Sequence, residues 1–280
     1  YLFLQRFLDS TKANLFFAKG IIMVEGDAEN ILVPVIADIL GYPLEKYGVS
    51  VVNVGSTAFL RYSGIMIRKD GRGIGIPVSV ITDCDVRPYD IDKDTNEKIF
   101  NEKESESTQK EKENNEKYTN GSVRGFTSPR WTLEYCIAMS CLSEEFHKSV
   151  HYGKKILNAR DYIALTDEKI NEANQEMEKE EEQWHTLPLW KKAYQIYDLM
   201  LDKDGKSGLK AIVAQCFASF LRWKISVIPE NLKQEKMFDL DLYRLKIDDK
   251  KKFELKSKIE GDQFLSYIVK AIKYAAGETV

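Results

Sequence analysis

Short apolar runs alternate with amphipathic stretches through the first third of the chain. Ile21–Val24 is a continuous aliphatic run, and residues 49–54 and 76–81 are two further runs rich in β-branched side chains. Such runs are typical of strands buried on both faces, as in parallel sheets. Residues 30–40 have a helical pattern that ends at a Gly-Tyr-Pro triplet. A second helix is indicated for 59–67, so the alternation of strand and helix predicts a parallel α/β sheet flanked by helices.

Charged and helical patterns dominate the rest of the chain. The segment 90–123 is rich in Glu, Lys, Asn, Ser and Thr, which predicts a solvated helical or disordered insertion. A later acidic run, 176–182, is interpreted as a solvated helix face. The predicted division is a core in 1–142 with its charged insertion at 90–123, a helical insertion at 143–190, a core completion at 191–229 and a helical C-terminal tail at 230–280.

Composition limits the class of protein without identifying it. Of 280 residues 43% are hydrophobic, which is enough for a sizeable core, and the net charge of -3 gives no global sign of nucleic-acid binding. Four cysteines without a CxxC pair predict reduced thiols and a cytoplasmic location. No apolar run reaches the roughly 18–20 residues of a membrane span, so no membrane partner is expected. Because the chain begins at Tyr1 without a methionine, we expect it to be part of a longer protein.

Two groups of acids directly follow predicted strands. Glu25 and Glu29 are four residues apart, so both can face one way at the amino end of a helix. Asp83 and Asp85 are two apart, which puts both on one face of an extended segment. Open α/β sheets bind ligands at the carboxyl ends of their strands, and clustered carboxylates repel unless a divalent cation lies among them. The pattern predicts a metal site, although acids in such positions also cap helices, a role open to Asp27.

Further candidates lie later in the chain. Glu134 is the one acid in a largely apolar stretch and is either a third carboxylate contribution or a helix acid at a solvent edge. Lys206 and Lys210 lie near a helix amino end, where either can meet a phosphate. A carboxylate site with a nearby lysine suits Mg²⁺ or Mn²⁺, and two such ions promote phosphodiester hydrolysis. His147 and His151 are four apart but lack an obvious third ligand, so we interpret them as surface residues.

Together these motifs resemble a known group of proteins. Val24-Glu25-Gly26 with Glu29 after one strand, and Asp83-x-Asp85 after another, are similar to the Toprim domain of topoisomerases, primases and related nucleases. The closer resemblance is to the OLD (overcoming lysogenisation defect) family of nucleases. It covers most of 15–88 and resumes at Thr132-Leu133-Glu134 and, weakly, at Lys210-x-x-x-Ala214-Gln215.

The resemblance implies a Toprim-like fold and a metal-dependent DNA endonuclease that uses two Mg²⁺ or Mn²⁺ ions. The implied metal ligands are Glu25, Glu29, Asp83, Asp85, Thr132 and Glu134. Lys210 is implied to act at the phosphate, with Lys206 as its competitor. The family also implies an amino-terminal ABC-type ATPase. No Walker A sequence is present here, so the chain is expected to be the carboxyl-terminal part of such a protein. A homo-oligomer is expected as well. The family includes the nuclease subunit of Gabija-type antiphage systems, which works beside a UvrD-like helicase. The sequence does not decide whether this chain belongs to that branch of the family.

Two other functions stay open at this point. Asp83-x-Asp85-Val86 also resembles the aspartyl nucleophile motif of haloacid-dehalogenase-type phosphatases, whose chemistry does not need Glu25 and Glu29. A Toprim-like scaffold that binds DNA or a partner without cutting it is the second alternative. Several basic residues lie around the predicted sheet edge. They are either scattered surface cations or a surface that binds the phosphate backbone of DNA. The candidate DNA contacts are Arg87, Arg130 and Lys206.

Overall fold

The computed structural model describes residues 17–55, 75–158, 166–201, 209–230 and 245–280. The helix predicted at 59–67 and the side chain of Lys206 lie outside these ranges. The chain divides into two compact units, of which the first comprises Tyr1–Leu133 with Phe264–Val280 and the second comprises Glu134–Gln263. The last segment thus belongs to the first unit, and the predicted division of the chain stays a prediction. Among the described helices, none is both long and apolar enough to cross a membrane.

A four-stranded parallel sheet forms the centre of the first unit. Its strands are β1 (Gly20–Val24), β2 (Val49–Asn53), β3 (Val78–Thr82) and β6 (Val123–Thr127), in the spatial order β2-β1-β3-β6. The two central strands, β1 and β3, are buried along their whole length. Their continuous apolar patterns reflect this burial on both faces. The predicted parallel α/β sheet flanked by helices is confirmed.

Helices and two short antiparallel ribbons make up the other described elements. The helices are α1 (Asp27–Leu40), α2 (Leu44–Tyr47), α3 (Glu104–Tyr118), α4 (Leu133–Met139), α5 (Ser143–Leu157), α6 (Asp167–Trp184), α7 (Leu189–Asp198), α8 (Leu209–Lys224), α9 (Asp249–Glu260) and α10 (Ser266–Ala275). The ribbons are β4 (Tyr89–Ile91) with β5 (Lys98–Phe100), and β7 (Ser226–Val227) with β8 (Lys246–Ile247). In the second unit, α5 packs against α8 through the edge-to-face rings of Phe146 and Phe217, whose centroids are 5.4 Å apart.

The charged segment at 90–123 covers one edge of the sheet. It forms part of the β4–β5 hairpin and the whole of α3. Of the helical and the disordered insertion that the sequence left open, the structure therefore has the helical one. The N–H of Thr127 in β6 donates to Asn115 Oδ1 at 2.8 Å. The N–H of Gly125, which faces the same way, donates to Thr119 Oγ1 at 3.1 Å. Because an open strand edge invites pairing with other chains, these side chains both satisfy and protect β6.

Helix α10 packs directly on the face of the sheet. The hydroxyl of Ser79 in β3 donates to the carbonyl oxygen of Ala271 at 2.7 Å. Where α10 passes β1, a Cβ at Gly20 would lie 1.9 Å from the carbonyl oxygen of Ala275. Glycine is therefore required at position 20 by a close backbone approach rather than by an unusual φ. The predicted C-terminal tail helix is thus an integral part of the first unit.

Replacing Gly20 by alanine should destabilise the protein. The added methyl group would displace α10 from β1, and overpacking of this kind costs about 2–3 kcal/mol. The measurement is the urea-unfolding midpoint followed by circular dichroism. Gly261→Ala is the matched control, because its φ is -84 and the nearest atom to an added Cβ is 3.4 Å away. Equal midpoints for the two variants would contradict the close approach.

Loss of the Asn115 side chain should expose the sheet edge. Asn115→Ala leaves the Thr127 N–H without its acceptor, which costs about 1–2 kcal/mol for a buried donor. Urea unfolding measures the stability, and light scattering against protein concentration measures edge-to-edge association. Gln109→Ala on the exposed face of α3 is the control and should change neither quantity. Wild-type behaviour of Asn115→Ala would show that α3 does not protect β6.

Candidate functional site

Glu25 and Asp83 directly follow the two central strands of the sheet. β1 and β3 pair in parallel, with Met23 opposite Val80, so their carboxyl ends lie at the same edge. β2 lies beyond β1 on one side and β6 lies beyond β3 on the other. The strand order therefore reverses between β1 and β3. In open α/β sheets, ligands bind in the crevice at this point.

Direct hydrogen bonds hold Glu25 and Asp83 together. The N–H of Asp83 donates to Glu25 Oε1 at 3.3 Å, and the hydroxyl of Thr82 donates to the same oxygen. On its other side, the Asp83 carboxylate accepts the N–H of Leu133, the first residue of α4, at 2.9 Å. Both carboxylates are thus oriented by neighbouring donors before any ligand binds.

The electrostatic surroundings of Glu25 favour a cation. Burial raises the pKa of the Glu25 carboxyl above its usual range, and the negative charge of Asp85 raises it further. The hydrogen bonds from Thr82 and from the Asp83 N–H oppose this rise without cancelling it. A partly buried carboxylate beside another acid is stabilised in its ionised form by a bound cation. Oxygen donors of this kind match the preference of Mg²⁺ and Mn²⁺.

Asp85 has an uncommon backbone conformation. Its φ is 63, in the left-handed region, which few residues other than glycine adopt. Its N–H donates to the carbonyl oxygen of Trp131 at 2.9 Å, which holds the conformation in place. The Asp85 side chain is exposed, whereas the Asp83 side chain is half-buried. Such backbone conformations cost free energy and are concentrated at functional sites.

Glu29 and Asp27 share the first turn of α1 but have different surroundings. A Cβ at Gly26 would lie 3.1 Å from Glu29 Oε2, so the Glu29 carboxylate lies against the turn that carries Glu25. Asp27 accepts a hydrogen bond from Asn53 Nδ2 at 2.8 Å. It is the first residue of α1 rather than its cap, which is Gly26. Glu29 therefore lies against Gly26, while Asp27 is hydrogen-bonded to the last residue of β2.

The remaining predicted metal ligands lie near the start of α4. Thr132 is buried in the first unit. Glu134 is buried in the second unit, where Lys210 Nζ lies 3.2 Å from its Oε1. The side chain of Lys210 is half exposed, with 50% of its surface accessible. The assignment of Thr132 and Glu134 as metal ligands, and of Lys210 to the phosphate, stays a prediction.

The candidate DNA contacts differ in how far they are engaged. Arg87 is exposed, two residues after Asp85. Arg130 donates to Glu104 Oε1 at 2.7 Å, and its guanidinium lies 5.9 Å from the centre of the Phe264 ring. Arg130 is therefore bound within the first unit, and a contact to DNA stays a prediction for both arginines.

The Thr82 hydroxyl is a site feature that the sequence interpretation missed. Thr82 ends β3, and its hydroxyl reaches Glu25 only because β1 and β3 are neighbours in the sheet. Asn114 was also missed, since it lies in the charged segment; its Nδ2 donates to the Asp83 carbonyl oxygen at 3.4 Å. Neither contact follows from a local pattern, because each joins residues distant in the chain.

The surface interpretation of His147 and His151 is wrong. Their side chains are 1% and 2% exposed, and each Nε2 lies 2.7 Å from Glu180 Oε2. Glu180 comes from the acidic run that was interpreted as a solvated face. The ligand atoms of these three residues all lie within 4.8 Å of one another. Among the described residues, no three of the sheet-edge acids come this close.

The sequence and the fold were compared with those of known proteins. Residues 16–85 match the family model described as "Overcoming lysogenization defect protein-like, TOPRIM domain". Among solved structures, the chain is similar to the C-terminal region of the Burkholderia pseudomallei OLD protein, with 20% identity and a TM-score of 0.43 over 94% of this chain and 100% of that one. It is also similar to the C-terminal region of the Xanthomonas campestris pv. campestris OLD protein, with 20% identity and a TM-score of 0.42 over 93% and 96%.

No curated protein matches the sequence. The family match spans β1, α1, β2 and β3 and ends at Asp85, so it contains the acids of both strand ends. Residues 16–85 of this chain are a TOPRIM domain of the OLD-like family.

Proposed function

We propose that this chain is the nuclease part of a metal-dependent DNA endonuclease. The observation that carries the proposal is the meeting of Glu25 and Asp83 where the strand order reverses, with Asp85 close enough to act on the Glu25 charge. A TOPRIM domain of the OLD-like type supports a nuclease-type or metal-binding role. Hydrolysis of DNA by two bound cations is the more specific step that we propose.

The donor set fits hard divalent cations. Carboxylate oxygens with a backbone N–H and a hydroxyl around them suit Mg²⁺ or Mn²⁺ better than softer metals. Glu25, Glu29, Asp83 and Asp85 would hold the ions, with Thr132 and Glu134 as further predicted ligands. When bound, such ions supply Lewis-acid activation of a phosphodiester and of the attacking water.

The chain's own contribution is orientation. Thr82 and the Asp83 N–H fix one oxygen of Glu25, and the Leu133 N–H fixes Asp83. Carboxylates held in this way need little rearrangement when charge develops at a phosphate, and such preorganisation is a large part of catalysis. Lys210 is proposed to neutralise charge at the phosphate, with Lys206 as its competitor.

The partners belong to the same proposal. DNA would be approached through the exposed Arg87, since phosphate contacts position a nucleic acid without reading its sequence. An amino-terminal ABC-type ATPase, a UvrD-like helicase, assembly as a homo-oligomer, a cytoplasmic location and a role in antiviral defence are further proposals that follow from the family resemblance. Cys84, Cys136, Cys141 and Cys216 form no disulfide, and reduced thiols are typical of the proposed compartment.

Supercoiled plasmid provides the direct test of the nuclease. In Mg²⁺ or Mn²⁺ the wild type should nick the plasmid, and EDTA should abolish nicking. Glu25→Gln and Asp83→Asn should each lower the rate about 100-fold or more, because each removes a charge needed to hold the cations. Asp27→Asn is the matched control: it is a neighbouring acid whose hydrogen bond with Asn53 an amide can keep. Loss of activity in Asp27→Asn alone would contradict the assigned site.

The same assay separates the alternatives. A phosphatase would hydrolyse a small phosphate ester, and Asp83→Asn but not Glu25→Gln would abolish that activity. A binding scaffold would retard DNA in a gel but cut it in neither Mg²⁺ nor Mn²⁺. Plasmid nicking that both Glu25→Gln and Asp83→Asn abolish is the outcome expected of the nuclease.

The hydroxyl of Thr82 gives a second prediction. Thr82→Val keeps the side-chain shape but removes the donor to Glu25, so the Mg²⁺ concentration for half-maximal nicking should rise about tenfold. Thr127→Val is the matched control, because Thr127 pairs with Thr82 in register across β3 and β6. Its buried Oγ1 makes no hydrogen bond among the described residues. An equal Mg²⁺ requirement in both variants would exclude a positioning role for Thr82.

A further inference from the structure

Two helices of the second unit face each other through a ladder of polar side chains. His147 and His151 are one helical turn apart on α5, and Glu176 and Glu180 are one turn apart on α6. Glu180 Oε2 lies 2.7 Å from Nε2 of both histidines, and Glu176 Oε2 lies 3.2 Å from Nδ1 of His151. The helices thus run antiparallel, and one carboxylate oxygen lies between two imidazole rings.

A count of hydrogen-bond donors makes this arrangement unusual. A neutral imidazole has one N–H donor, yet both nitrogens of His151 face carboxylate oxygens. One of these two contacts therefore lacks a proton unless the ring or one of the carboxylates carries an additional proton. The Nδ1 of His147 is also buried and makes no hydrogen bond among the described residues; the Glu181 carboxylate is 4.0 Å away.

A metal ion satisfies these atoms in a different way. If Nδ1–H of His151 donates to Glu176, the Nε2 lone pair is free to bind a cation that Glu180 also binds. Metal-binding histidines commonly donate their other N–H to a carboxylate in this manner. Lys155 Nζ donates to Glu176 Oε1 at 2.8 Å, which holds that carboxylate in place.

Binding of a zinc ion would require the ligand atoms of this cluster to rearrange. Bonds of about 2.0–2.1 Å in a tetrahedral zinc site put ligand atoms roughly 3.3 Å apart, so the two contacts of 2.7 Å must lengthen. Glu180 is the most accessible of the three ligands, with 21% of its side chain exposed, whereas the side chains of His147 and His151 are 1% and 2% exposed. A cleft of about 450 Å³, lined by His147 with Glu181 and Lys192, adjoins the cluster and gives access to solvent.

We propose that His147, His151 and Glu180 bind one Zn²⁺ ion that joins α5 to α6. Two imidazoles and one carboxylate favour zinc or a similar transition metal over Mg²⁺. Three protein ligands leave a fourth position for water. This zinc site lies within the second unit and is separate from the carboxylates at the sheet edge.

Zinc titration tests the proposal on the whole chain. EDTA-treated protein is dialysed into excess Mg²⁺ and titrated with Zn²⁺ in competition with a chromogenic chelator. The wild type should take up one tightly bound equivalent. Glu180→Gln and His151→Gln should each weaken that binding at least tenfold, and Zn²⁺ should raise the unfolding temperature of the wild type but not of these variants.

Matched controls separate this site from other sources of binding. His185→Gln removes the third histidine of the chain, which lies outside the cluster, and should keep the tight equivalent. Asp83→Asn should also keep it, so failure of the nuclease proposal and failure of the zinc proposal are distinguishable. Tight binding that survives Glu180→Gln and His151→Gln, or that is lost in His185→Gln, would overturn the assignment.

X-ray absorption at the zinc edge provides a test that needs no variant. In the wild type with one equivalent of Zn²⁺, we expect two imidazole nitrogens and oxygen ligands. A spectrum with fewer than two imidazoles would overturn the proposal. So would the absence of a tight equivalent in the titration.

Discussion

The parallel pairing of β1 with β3 is the constraint on which the candidate metal site depends. It brings Glu25 and Asp83, which are 58 residues apart in sequence, into hydrogen-bonding contact. Two acids at one edge repel each other, and burial of Glu25 increases the cost of its charge. The local backbone meets part of this cost with the Asp83 N–H and the Thr82 hydroxyl. A bound divalent cation would remove the rest of the free-energy cost of the ionised Glu25 carboxylate. The same strand pairing that builds the sheet therefore also creates the need for a cation.

Segments distant in sequence complete the sheet that carries this site. Helix α3 covers the edge at β6 with the side chains of Asn115 and Thr119. Helix α10 covers one face and approaches β1 so closely that only glycine fits at position 20. Both helices are polar or amphipathic in sequence, so neither pattern reveals which part of the sheet it protects. The sheet is thus stabilised by hydrogen bonds to the backbone N–H groups at its edge and by close packing on its face.

The sequence predicts the elements well where local patterns determine them. The buried strands are continuous apolar runs, and Glu25 and Asp83 directly follow two of them, so the candidate site could be predicted from the chain alone. The contacts of Thr82 and Asn114 could not, because they depend on which strands and helices are neighbours. The roles predicted for Glu134 and Lys210 rest on the family resemblance, and the ion pair between the two side chains does not test them.

The burial of His147 and His151 also could not be predicted from a local pattern. His147 and His151 share a helix face, which the four-residue spacing predicts. Their burial depends on the register between α5 and α6, and no periodicity within one helix encodes that register. An acidic run read alone is most often a solvated face, yet one of its members, Glu180, lies between two rings. Paired i,i+4 positions on consecutive helices would have been the informative pattern.

The packing of α10 on the sheet has a consequence for biosynthesis. The ribosome makes the strands of the first unit early, but residues 264–280, which cover their face, emerge only after the whole second unit. Until then, apolar residues of β1 and β3 on that side lack their partner, and a nascent chain with such a surface is prone to aggregation. The second unit, by contrast, is contiguous from 134 to 263, so all of its residues leave the ribosome before residues 264–280 do. The order of folding is therefore expected to run opposite to the order of translation.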